Sequence, residues 1–142
     1  MPDGFNPMRW DCNQKGCFNK KRRPKIEVFH DALPGRISFG DVDGIVEIEG
    51  NALVLEWKGE NAPIPKGQVI MWTRLTRGGI FTVFVIEGDA ETMEVFGFRK
   101  FFDGKLYDPE KTDLDCIKKK IAAWVLYAKK NSRFLRGCAN GR

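Results

Sequence analysis

The tightest constraint on this fold is a pair of alternating segments placed back to back. Residues 43–49 (DGIVEIE) and 52–58 (ALVLEWK) both alternate, with Gly50 and Asn51 between them. A period of two sends successive side chains to opposite faces of a strand. Gly-Asn between two such runs predicts a two-residue hairpin turn. Val46 and Ile48 then share a face with Leu53, Leu55 and Trp57. The other face carries Asp43, Ile45, Glu47, Val54, Glu56 and Lys58. With that turn, residue 43 lies opposite 58 and residue 45 opposite 56.

Around the hairpin the pattern predicts a helix over 24–33, with Pro24 in its first turn and Ile26, Phe29 and Leu33 on one face. Pro34-Gly35 ends it, and Arg36 to Phe39 reads as a short strand. Residues 66–77 read as a helix stopped by Gly78-Gly79. Ile80 to Ile86 (IFTVFVI) has the apolar, β-rich character of a central buried strand. Residues 92–98 read as another strand, and 99–107 as a turn-rich excursion around Asp103-Gly104. Thr112 is the expected cap of a last helix, whose Leu114, Ile117, Ile121, Trp124, Val125 and Ala128 follow helical spacing. The expected order is α-β-β-β-α-β-β-α, an α/β (or α+β) domain with a central mixed sheet flanked by helices.

With 142 residues the chain reads as one domain, preceded by a basic, Cys-containing arm over residues 1–23. The domain then covers residues 24–142. The run from Ile80 to Ile86 is far shorter than the roughly 20 residues of a membrane span, so no membrane partner is expected. Met1 to Met8 show no basic region followed by an apolar one. The expected location is therefore cytoplasmic.

Charge falls in three blocks. Residues 1–26 hold seven Lys/Arg and two Asp, and residues 116–142 hold eight Lys/Arg and no acid. Between them, residues 27–115 hold nine Lys/Arg against seventeen Asp/Glu. Basic ends suit a polyanion such as nucleic acid. An acidic centre suits one only where its carboxylates hold metal ions that meet the phosphates.

Asp43, Glu56 and Lys58 are where that chemistry fits. Glu56 and Lys58 stand two apart on one strand, and the hairpin brings Asp43 to the same face. Two carboxylates brought together repel unless a hard cation lies between them, and Mg²⁺ takes oxygen ligands while keeping waters. Such a cation polarises a phosphate oxygen and acidifies a water. Lys58 would position that water or neutralise charge developing on phosphorus. The bland alternative is a turn-capping Asp43 and an exposed Glu56–Lys58 pair on an edge strand. A second acid-x-Lys triplet, Asp103-Gly104-Lys105, reads as a tight turn, because no acid stands at position 90 to match it.

The stretch from Asp43 to Lys58 resembles the core motif of the PD-(D/E)XK nuclease superfamily. An acid opens one strand, and Glu56-Trp57-Lys58 closes the next. The thirteen-residue spacing from Asp43 to Glu56 is similar to that of Holliday junction resolvases. The text from Trp10 to Val95, with "GCFNKKRRPKIEVF", "FGDVDGIVEIEG" and "LEWKG", resembles small phage-encoded nucleases of this type. The resemblance implies a restriction-endonuclease-like core and a homodimeric, Mg²⁺-dependent DNA endonuclease that acts on branched or double-stranded DNA in recombination or processing. Mn²⁺ is the implied substitute, and the host cytoplasm the implied location. Asp43 and Glu56 would bind the metal, the Trp57 backbone carbonyl would complete the site, and Lys58 would assist the water. Glu27 matches a Glu on the family's first helix, and Gln68 a Gln on the helix after the triplet. Asp41, two residues before Asp43 with the same parity, is a departure and a second candidate ligand. Glu47 shares the face. A nickase or exonuclease of the same superfamily is the runner-up.

Lys20, Lys21, Arg22, Arg23, Lys25, Lys118 and Lys119 are the candidate phosphate contacts. Cys12 and Cys17, with His30, Cys116 or Cys138, are candidate zinc ligands, though their spacing does not make two knuckles. Trp10, Trp57, Trp72 and Trp124 read as core. Two other functions remain open at this point: a non-catalytic basic DNA-binding protein, and a zinc-stabilised interaction module.

Overall fold

The computed structural model describes residues 24–134. Lys20 to Arg23, Cys12, Cys17, Trp10 and Cys138 lie outside the described residues. The chain divides into two units, Met1–Asp41 and Val42–Arg142, and each is described by itself.

In the first unit the expected α-helix is a seven-residue 3-10 helix, Ile26–Ala32. None of its residues is buried, and no side chain caps its start. Short helices gain most of their stability from packing an apolar face, and without that burial the segment takes the tighter turn. The expected strand at Arg36 to Phe39 does not form: residues 37–42 have no regular structure. The left-handed Gly35 (φ 59°) turns the chain just before it.

The second unit is a mixed sheet with one helix on each face. Its strands are β1 (Gly44–Ile48), β2 (Asn51–Lys58), β3 (Phe81–Asp89), β4 (Glu94–Phe102), β5 (Lys105–Leu106) and β6 (Glu110–Lys111). Helix α1 (Lys66–Leu75) links β2 to β3, and α2 (Leu114–Lys130) closes the unit. The sheet order is β1-β2-β3-β4-β5, with β6 also on β4. Among the described strands only β2 and β3 run parallel, as a strand–helix–strand crossover requires.

The predicted hairpin forms, with its turn shifted by one residue. Ile48 pairs with Asn51, so Glu49 and Gly50 make the turn. Both have positive φ (53° and 85°), the type I′ requirement. Asn51 is drawn into the strand because its side chain is completely buried. Its Nδ2 donates to the carbonyls of Ala128 and Asn131, 3.2 and 3.0 Å away, and its Oδ1 accepts from Arg133 Nε at 2.8 Å. The one-residue shift of the turn moves the pairing by two. Gly44 pairs with Leu55, so one further step places residue 43 opposite 56 rather than 58. Because that shift is even, every side chain keeps its predicted face.

The two faces carry separate cores. Leu53, Phe84, Ile86, Phe98 and the α2 residues Ile117, Trp124 and Ala128 form one. Val54, Val83, Val85, Phe101 and Trp72 of α1 form the other. Trp57 packs against the first of these. Other boundaries move for local reasons. Helix α1 ends at Leu75, and the next residue, the fully buried Thr76, donates its hydroxyl to the Trp72 carbonyl at 2.6 Å. Strands β3 and β4 run to Asp89 and Phe102, beyond their apolar stretches. Asp113 caps α2 in place of Thr112. Its Oδ1 accepts from the Cys116 amide at 2.9 Å, while Thr112 N extends the β6 side by donating to Phe96 O. No helix among the described residues is long and apolar enough to cross a membrane.

Candidate active site

β2 carries Val54, Glu56 and Lys58 on the α1 side of the sheet. Glu56 is 5% exposed and stands in register with Val85 of β3. A carboxylate so placed costs free energy unless it is paired, hydrogen-bonded or on a metal. Lys58, at the strand end, is half-buried, and its Nζ donates to Gln68 Oε1 at 2.9 Å. The α1 helix starts eight residues after β2 ends, which lets its first turn reach back over Lys58. The pairing of Lys58 with Gln68 is thus a product of the crossover.

Asp43 lies just before β1 and is exposed. Its Oδ2 accepts from the Trp57 backbone amide at 2.6 Å. The β1 ladder ends at the Gly44–Leu55 pair, so Asp43 takes up the next backbone group of β2. A strand residue directs its N–H and C=O to the same neighbour. The Trp57 carbonyl therefore faces the same edge as its amide. The register therefore brings two carboxylates, on Asp43 and Glu56, and the Trp57 carbonyl to the same end of β2.

Glu27 and Asp41 belong to the first unit. Glu27 is exposed on the 3-10 helix, where His30 Nδ1 donates to its carbonyl oxygen at 3.3 Å. Asp41 and Lys25 are exposed. Glu47 serves the hairpin: its Oε2 accepts from Gly50 N at 2.7 Å. Lys118 and Lys119 are exposed on α2, which packs on the opposite sheet face from Glu56 and Lys58. Cys116 is a free, exposed thiol on α2. Asp103 and Gly104 form the β4–β5 turn, both with positive φ, and Asp103 Oδ1 accepts from Gly78 N at 2.9 Å. No group of three or more His, Cys, Asp or Glu side chains placed to hold a metal occurs among the described residues. Mg²⁺ sites on phosphate-processing proteins use one or two carboxylates together with the substrate, so two acids and a carbonyl fit that ion.

Sequence reasoning missed what lies beside Lys58. Glu87 of β3 stands in register with Lys58, and its Oε2 accepts from the Asn61 amide in the loop after β2. The β3–β4 register slips between Glu87 and Gly88. A glycine inside a strand is a signal of close approach, and Gly97 is one: a Cβ there would lie 2.7 Å from Glu87 Oε1. Comparison with known proteins yields no matching family model, no matching curated protein and no matching solved structure.

Proposed function

We propose that this chain is a metal-dependent nuclease that hydrolyses DNA phosphodiester bonds, built on a restriction-endonuclease-like core. The observation that carries the reading is the gathering of Asp43, buried Glu56 and Lys58 at the end of β2, with Lys58 held by Gln68. Asp43, Glu56 and the Trp57 carbonyl would hold Mg²⁺ or Mn²⁺. When bound, the ion supplies Lewis acidity to a phosphate oxygen and makes a water more acidic. The water oxygen attacks phosphorus, and the bond to the leaving sugar oxygen breaks. The water releases a proton to solvent, and the leaving oxygen takes one up. Lys58 contributes an ammonium aimed at the charge that grows on the phosphate oxygens. Gln68 positions that ammonium by accepting one of its three hydrogens.

Within this class the proposal is a structure-selective endonuclease of the Holliday junction-resolving type, acting as a homodimer. Its ground is symmetry: two copies of one site match a four-way junction's two-fold axis. The test is cleavage of labelled supercoiled, linear, single-stranded and four-way-junction DNA, with Mg²⁺ or with chelator. Metal-dependent cutting is expected, with Lys58→Ala slower by about 100-fold or more. Cutting unchanged in Lys58→Ala refutes the site. Binding without cutting in every condition leaves a non-catalytic DNA-binding protein.

A further inference from the structure

A groove of about 680 Å³ opens beside Lys58 at the carboxyl ends of the parallel strands β2 and β3. Open sheets with parallel strands bind ligands at that end, and this volume is in the range of about 300–1,000 Å³ that encloses a small organic molecule. The floor is Val85 and Glu87 of β3 with Gly97 and Arg99 of β4. A Cβ at Gly97 would lie 2.7 Å from Glu87 Oε1, so a side chain there would displace the Glu87 carboxylate. One wall is the loop after β2, anchored by the Asn61–Glu87 hydrogen bond and contributing Ile64. The other is β6 with Lys111.

Phe96 gives the groove its character. Glu87 pairs with Gly97 and Gly88 with Val95, so Phe96 is the extra residue of a bulge. Bulges re-aim side chains, and Phe96 is half-buried and lines the groove. Two cations accompany it. Arg99 donates Nε to the Tyr107 carbonyl at 2.9 Å, which fixes the guanidinium and leaves its outer nitrogens. Lys111 is exposed at the rim. Three acids also line the groove: Glu110 is paired with Lys120 at 3.0 Å, Glu87 accepts from the Asn61 backbone amide, and Glu60 is exposed in the loop after β2. An aromatic ring, one fixed cation with a second at the rim, and a site of one-nucleotide size are the components of a single-strand subsite.

We infer that this groove seats one unpaired nucleotide of the substrate strand, its base against Phe96 and Ile64 and its phosphate toward Arg99 and Lys111. A base inside a duplex cannot offer its face to Phe96, so the groove selects frayed, single-stranded or branch-point DNA. This deepens the nuclease reading and rests on it for what Lys58 then does, but the binding is testable alone.

The full chain is titrated with the pentamer dC5 and with a blunt duplex, in chelator and at low salt. Saturable binding of dC5, weakened about 5- to 100-fold in Phe96→Ala and about tenfold in Lys111→Glu, is expected. Lys111 is exposed, so Lys111→Glu keeps the native melting profile even where Phe96→Ala does not. Native-like dC5 binding by both variants, or no dC5 binding by the native chain, overturns the subsite. Cleavage in Mg²⁺ is scored separately: cutting that persists while both variants bind as native sinks the groove alone. Groove binding without cutting supports the subsite and sinks the nuclease reading.

Discussion

Replacing Gln68 by Ala isolates the side-chain hydrogen bond that, among the described residues, holds the proposed catalytic lysine. The Lys58 Nζ to Gln68 Oε1 bond is 2.9 Å long and partly buried. A hydrogen bond to a charged group contributes about 1.5–3 kcal/mol. Both residues reach solvent, so the effect on folding is screened to about 1 kcal/mol or less. Its effect on the reaction is larger if the bond holds the ammonium where the phosphate charge grows. At 1.36 kcal/mol per decade, the loss is then about 10- to 100-fold in kcat. The assay is single-turnover cleavage at saturating DNA, beside thermal melting and DNA affinity in chelator. Reduced kcat with unchanged KM and melting temperature is the expected pattern. Gln68→Glu, whose carboxylate accepts the same bond, should recover part of the rate. A Gln68→Ala rate within about twofold of native refutes the positioning argument. So does a loss that only tracks reduced stability.

Asn51→Ala removes three hydrogen bonds that tie α2's end to β2. At about 1 kcal/mol each, with two carbonyls left short of a partner, it should destabilise by about 2–4 kcal/mol; a urea midpoint within 0.3 M of native, at an m-value of about 1–3 kcal/mol/M, would contradict this. Asp113 is held below the ordinary carboxylate value of 3.8, first by the Cys116 amide and also by Lys119. A carboxylate with a depressed folded-state pKa stabilises above its unfolded value and loses that contribution as pH falls through the folded one. Asp113→Ala should therefore melt earlier than native at neutral pH and converge with it in acid; a gap constant down to pH 2 (about two units below 3.8) counts against the cap. Lys105→Ala, at the start of β5, should cut DNA at the native rate, and a large loss would reopen the Asp103-Gly104-Lys105 triplet as a site.

The period-two pattern of residues 43–58 was sufficient for strand identity, hairpin formation and the sorting of side chains to two faces. These depend on local stereochemistry and on burying one side of each strand, both written into the order of residues. It therefore put Asp43, Glu56 and Lys58 on one face and Trp57 on the opposite one, while the residue opposite Asp43 became 56 rather than 58. The turn residues and the fate of Asn51 depended on contacts far along the chain, and the segment over residues 24–33, with none of its 3-10 helix buried, had no packing to make it an α-helix. Asn51 joins the strand because carbonyls 77 and 80 residues away receive its amide. The groove beside Lys58 lay further out of reach. It exists because β2 and β3 run parallel, a bulge turns Phe96 inward, and the short β6 adds a wall at Lys111. Parallel pairing and two-residue strands are stabilised by tertiary packing rather than by local preference, so only the folded sheet decides what stands beside the lysine.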